Sequence, residues 1–91
     1  MILKNKQVKI SKLGEEKIFM SGTKYWLLEW AEINNERFIN GDEITYFDEY
    51  KNEYCNGIIK KILAIETGCV EVITNTGIGR LDLEEIEHTA G

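Results

Sequence analysis

The chain has 91 residues and a mass of 10.5 kDa, the size of one small domain, which excludes a two-lobed enzyme with a cleft between its lobes. With 43% hydrophobic and 30% charged residues it is too apolar for a disordered segment and too polar for a membrane-embedded one. The net charge of −5 is unevenly spread, with +3 over residues 1–17, −5 over 18–56 and −3 over 57–91; an acidic body disfavours nucleic-acid binding, which draws its affinity from Lys and Arg on phosphates.

In chain order, Gln7–Lys12 alternates Val8 and Ile10 with Lys9 and Ser11. Lys17–Met20 is apolar enough to return after Gly14, so the two segments predict an N-terminal β-hairpin. Lys4, Lys6, Lys9 and Lys12 suit either the protection of an edge strand or contact with phosphate or an acidic partner. Lys24–Ile33 is ambiguous. Ser21 could cap a helix there, but Leu27, Leu28, Trp30, Ala31 and Ile33 leave no clean polar stripe. Two tryptophans and a tyrosine fit a strand better, turning at Asn34-Asn35 into Glu36–Ile39. Ile58–Ile65 poses the same conflict: Ile58, Ile59, Ile62 and Leu63 sit at helical spacing, but the isoleucines are β-branched. Val70, Val72 and Thr74 face one way and Glu71 and Ile73 the other, giving a strand before a turn at Asn75-Thr76-Gly77. Thr76-Gly77-Ile78-Gly79-Arg80 reads as that hairpin turn rather than a phosphate loop, because no Lys-Ser/Thr and no helix follow it.

From Phe38 the order is Gly41-Asp42 plus a strand, an eight-residue polar stretch, Asn56-Gly57 plus a strand, a glycine plus a strand, a glycine turn plus a strand, and a short closing segment. This order resembles small SH3-like barrels of the KOW and Tudor kind, and is similar to the C-terminal barrel of small phage-encoded proteins. It covers Phe38–His88, about half of the chain. The fold expected is therefore all-β: one domain over 1–91, with an N-terminal β-hairpin and aromatic strand (1–37) packed on a small SH3-like antiparallel barrel (38–88). Thirteen Ile, nine Lys and seven Asn against three Ala, two Arg and no Pro indicate an AT-rich coding sequence, as in low-GC bacteria, their phages and plasmids.

Residues that carry chemistry are sparse. His88 is the sole imidazole and lies near the end of the chain, so neither Cys55 nor Cys69 has an evident base. Those cysteines are fourteen residues apart, which assembles no zinc set, and no metal or cofactor is expected. Adjacent carboxylates such as Asp42-Glu43 and Glu84-Glu85 point to opposite faces of a strand. No secretory leader and no apolar run of membrane length is evident, so a cytoplasmic protein with reduced thiols is expected, with no membrane partner.

What remains is aromatic clustering beside acid. In SH3-like barrels the loop after the first barrel strand lines a ligand groove, so the resemblance implies that the ligand surface lies at Asp48–Tyr54. The expected partner-binding set is Tyr46, Phe47, Asp48, Glu49, Tyr50, Glu53 and Tyr54. Aromatic rings bury much area with few rotatable bonds, and the carboxylates select a basic protein surface. Trp26, Trp30, Phe38 and Tyr46 are equally core candidates. The function expected is that of a non-enzymatic protein-binding module, inhibiting or adapting a host protein and in the extreme mimicking DNA. The alternatives are a nucleic-acid or nucleotide binder using the N-terminal lysines and exposed aromatics for stacking, and an assembly subunit of unknown oligomeric state.

Overall fold

The strands follow from alternation and turn chemistry. Among the described residues, 1–90 of this computed structural model, they are β1 (Lys9–Ile10), β2 (Glu16–Ile18), β3 (Lys24–Leu28), β4 (Trp30–Ile33), β5 (Glu36–Ile39), β6 (Glu43–Asp48), β7 (Glu53–Ile65), β8 (Val70–Thr74), β9 (Arg80–Asp82) and β10 (Ile86–His88), with a 3-10 turn at Leu83–Glu85. Strands β1, β4 and β5 form one sheet. The others form a larger sheet ordered β10-β6-β7-β3-β2, with β8 pairing β7 and carrying β9. Every pairing is antiparallel.

The all-β expectation holds, but the closed barrel does not form: no ladder joins β2 or β9 back to β10. The reason lies in β7. Its first half pairs with β6, from Asp48↔Glu53 to Glu43↔Ile58, and its second half pairs on both edges, with β3 and with β8. β3 thus takes the edge of β7 that β6 vacates, and β2 extends the sheet outward instead of closing it.

The N-terminal hairpin is also corrected, because its two segments do not pair with each other. β1 pairs with β4, and β2 with β3. Gly14 is a ladder position and not a turn: its N–H donates to the Leu27 carbonyl at 2.8 Å, and a Cβ here would sit 2.7 Å from that oxygen. Lys24–Ile33 is extended, as the strand reading requires, but it breaks at Glu29. The buried Ser11 hydroxyl accepts the Glu29 N–H at 2.9 Å and lies 3.3 Å from the Trp30 nitrogen. This holds a corner at which the chain passes from the larger sheet to the smaller one. Trp26 and Trp30 fall on either side of it, both half-buried, the latter with the Arg37 guanidinium 3.7 Å above its ring. The Asn34-Asn35 turn has φ of 53° and 63°, positive at both residues as a tight hairpin turn demands.

Ile58–Ile65 is strand, and a register shift between Ile59 and Lys61 explains its helix-like spacing. The bulge puts an extra residue into β7 and changes the phase of alternation, so that Ile59 and Ile62 both join the main core. Across the larger sheet, Leu28, Ile62, Val72 and Leu81 lie opposite one another in one buried row. Leu63 and Ile65 point to the other face, which they share by register with Tyr25, Leu27 and Glu71, and they too are buried. On that side Phe19 stacks on Tyr25 with centroids 4.1 Å apart. Arg80 reaches over Phe19 at 4.2 Å, its Nη1 lying 3.2 Å from Glu71 Oε1 without the angle of a hydrogen bond.

Ile62→Ala should cost about 2–5 kcal/mol of unfolding free energy, as a cavity in a fully packed row does. Ile58→Ala, at an exposed position of the same strand, should cost less than about 1 kcal/mol. Urea titration of the two variants reads the difference.

Candidate functional surface

Strand alternation divides the expected binding residues between two faces. On β6, Ile44, Tyr46 and Asp48 turn inward and are buried, whereas Thr45 and Phe47 turn outward. The Tyr46 hydroxyl donates to Thr76 Oγ1 at 2.9 Å, and Thr76 Oγ1 lies 2.7 Å from Thr74 Oγ1, which ties β6 to the end of β8. Tyr46 is therefore mainly a core residue. Asp48 is 6% exposed. Its Oδ1 accepts the N–H groups of Tyr50 at 2.9 Å and Lys51 at 3.3 Å, the local bonding by which Asp builds a turn. Asn52 closes that turn at φ 54°.

Asp48 and Asn52 thus collapse the expected eight-residue loop into a four-residue turn, Glu49–Asn52. Asn56-Gly57 lies inside β7, opposite Thr45 and Ile44, and not at a turn. Tyr50 is 98% exposed at the tip, and Glu53, opposite Asp48, faces away from Phe47 and Tyr54.

Phe47 and Tyr54 are opposite each other across β6 and β7. Their rings meet edge to face, with centroids 5.2 Å apart at 78°, and both remain exposed. Beside them runs an open groove of about 330 Å³, lined also by Glu49, Glu84, Glu85 and Glu87. Among the described residues no lysine, arginine or histidine lines it, so four carboxylates give it a negative potential. Of the seven expected residues, the structure gathers Phe47, Glu49 and Tyr54 here, with Tyr46 at the floor. Asp48, Tyr50 and Glu53 do not line the groove.

The sequence reading missed the C-terminal half of this surface. Asp82 caps the 3-10 turn by accepting the Glu84 N–H at 2.9 Å, and Glu85 accepts the Asp82 N–H at 3.3 Å. With Leu83 buried beneath it, the turn delivers Glu84 and Glu85 to the groove, and β10 follows with Ile86 and Glu87. The signal available was the density of glutamates at 84–87, but nothing local pairs it with residue 47. On the other side of Glu84 a narrower recess of about 190 Å³ contains Lys4 and Asn5, and the Asn5 amide already bonds Glu84 at 2.8 Å.

His88, near the end of the chain, is held in a three-way contact. Its Nδ1 lies 2.5 Å from Glu36 Oε1 and its Nε2 2.9 Å from Asp42 Oδ2. The ring stacks on buried Phe38 with centroids 4.3 Å apart, and the His88 backbone N–H also donates to Glu36 at 3.1 Å. Burial pulls the imidazole pKa down, but hydrogen bonds to Asp42 and Glu36 and their two charges outweigh it. The net shift is upward from 6.5. Cys55 and Cys69 are free thiols, both half-buried. Among the described residues no helix is long and apolar enough to cross a membrane.

The chain matches no protein-family model, and no curated protein or solved structure matches it.

Asp48→Ala removes the turn's side-chain acceptor and should cost about 1–2 kcal/mol, while Tyr50→Ala should leave stability within about 0.5 kcal/mol of the parent. Thermal or urea unfolding of the pair checks that Asp48 acts on the fold.

Proposed function

We propose that this is a non-catalytic protein-binding domain that takes a basic segment of a partner protein into the groove beside Phe47 and Tyr54. The observation that carries this reading is the combination on one face of an exposed edge-to-face aromatic pair with four glutamates and no lining cation. Rings supply buried area at small entropic cost, and carboxylates supply selection for lysine and arginine and a faster encounter. The strand order over Phe38–His88 that resembles SH3-like barrels supports the same placement, since it directs a ligand to the β6–β7 end. The AT-rich residue bias fits a phage or mobile-element protein of a low-GC bacterium, in which binding would inhibit or adapt a host protein.

Fluorescence anisotropy with labelled octa-arginine tests this. Glu49→Gln combined with Glu87→Gln, or Phe47→Ala combined with Tyr54→Ala, should weaken binding about tenfold or more, about 1.4 kcal/mol. Binding should also fall with salt. Glu53→Gln, off the groove, should change affinity by less than about twofold. Equal affinity in all variants, or tighter capture of octa-glutamate than of octa-arginine, would overturn the proposal.

A further inference from the structure

Strand β10 is three residues long, and one of its edges is held by β6 alone. On its other edge the contacts come from side chains: Glu36 of β5 and Asp42 of the β5–β6 turn, both reaching His88. The same strand places Ile86 and Glu87 in the acidic groove and ends the turn that carries Glu84 and Glu85. His88 is therefore the link between the smaller sheet and the element that builds one side of the groove.

An imidazole with a carboxylate oxygen within hydrogen-bonding distance of each ring nitrogen satisfies both only when both nitrogens carry protons. We infer that protonated His88 is the pin that seats β10, so that the acidic groove is complete at acidic to neutral pH and loosens as the imidazole loses its proton. The consequence for ligand binding rests on the groove being the binding site; the seating of β10 does not.

The charged groups facing the imidazole are Glu36 and Asp42. From β6 the residue opposite is Ile44, and Phe38 covers one ring face. Arg37 is turned to Trp30 and Glu32, and Glu87 belongs to the groove on the other face. Among the described residues no cation replaces the lost proton at the clasp. A neutral ring keeps one N–H, leaves one carboxylate facing a bare nitrogen lone pair, and takes the clasp charge down from −1 to −2. Asp42 Oδ2 also accepts the Ile39 N–H at 3.0 Å, which holds it in place and prevents it from turning away.

The sign follows from linkage. A histidine whose pKa is higher folded than unfolded contributes stability in full below its unfolded value of 6.5, and that contribution disappears as pH rises through the folded value. Hydrogen exchange by NMR reads the result on the Thr89 amide, which donates to the Glu43 carbonyl at 3.1 Å and closes the β6–β10 ladder. After correction for intrinsic rates, Thr89 protection should fall about tenfold between about pH 6 and about pH 8.5. The fall should track the His88 ring titration. His88→Phe keeps a ring on Phe38 without a titrating group, and should remove the pH response. Glu36→Gln, which leaves the ring in place, should move the titration midpoint down.

Octa-arginine, charged throughout this range, should bind the parent several-fold more weakly at the higher pH and His88→Phe equally at both. Thr89 protection that ignores pH in the parent, or a pH response that survives in His88→Phe, would overturn the inference. Should octa-arginine bind at neither pH while protection follows the ring, the groove reading falls and the seating of β10 by His88 stands.

Discussion

The architecture depends on a single long strand that has to satisfy two different surroundings. In its first half β7 is one strand of a hairpin with water on its outer face, and Tyr54, Asn56 and Ile58 accordingly point to solvent. In its second half it lies between β3 and β8 with both faces covered, and Ile62–Ile65 are buried without interruption. A regular strand could not bring Ile59 and Ile62 to the same core, since residues three apart point to opposite faces. The bulge before Lys61 resolves this by adding one residue. All the other pairings of the larger sheet are arranged around that shift, including the β6–β7 hairpin that ends at Phe47 and Tyr54.

The candidate surface is assembled from segments distant in sequence whose positions are fixed from beneath. Tyr46 and Asp48 are polar groups committed to internal bonds, and these bonds hold the intervening Phe47 outward. On the facing side, Leu83 is buried and the Asp82 cap orients the short turn, which aims Glu84 and Glu85 at the same groove. Buried polar groups of this kind specify geometry because each would be costly to leave unpaired. Like charges held together in this way repel one another, and an incoming cation relieves that repulsion.

Where one local rule acted alone, it could be read in advance. The Asn34-Asn35 turn, the alternation of Val70, Val72 and Thr74, and the positive φ of Gly77 and Gly79 each follow from nearby residues. The pairing of β1 with β4 and of β2 with β3 was not legible, because partner choice among short strands depends on distant segments. Gly14 looked like a turn residue but is required by the approach of Leu27. The bulged phase of Ile58–Ile65 imitates a helical face, which no single-period reading separates from a helix. At the surface, the sequence pointed to aromatics beside acid, and Phe47, Glu49 and Tyr54 lie in the groove. Asp48 and Tyr46 looked equally available, and only strand parity turns them inward. His88, Glu36 and Asp42 are brought together by tertiary structure alone.

One feature of β7 bears on how long the molecule lasts. Asn56-Gly57 is a dipeptide that, in a mobile loop, deamidates readily because the glycine nitrogen can attack the asparagine side chain through a five-membered ring. Here Gly57 is buried opposite Ile44, its backbone extended and paired, and the Asn56 Oδ1 accepts a hydrogen bond from Thr45 at 3.0 Å. Added bulk on Gly57 would meet Thr76 Cγ2 at 3.0 Å and Thr74 Cβ at 3.2 Å, so a chemically vulnerable dipeptide stands where the packing requires its glycine. The sheet protects the bond it needs, and ageing of this chain should begin elsewhere, at the exposed Asn40-Gly41 turn.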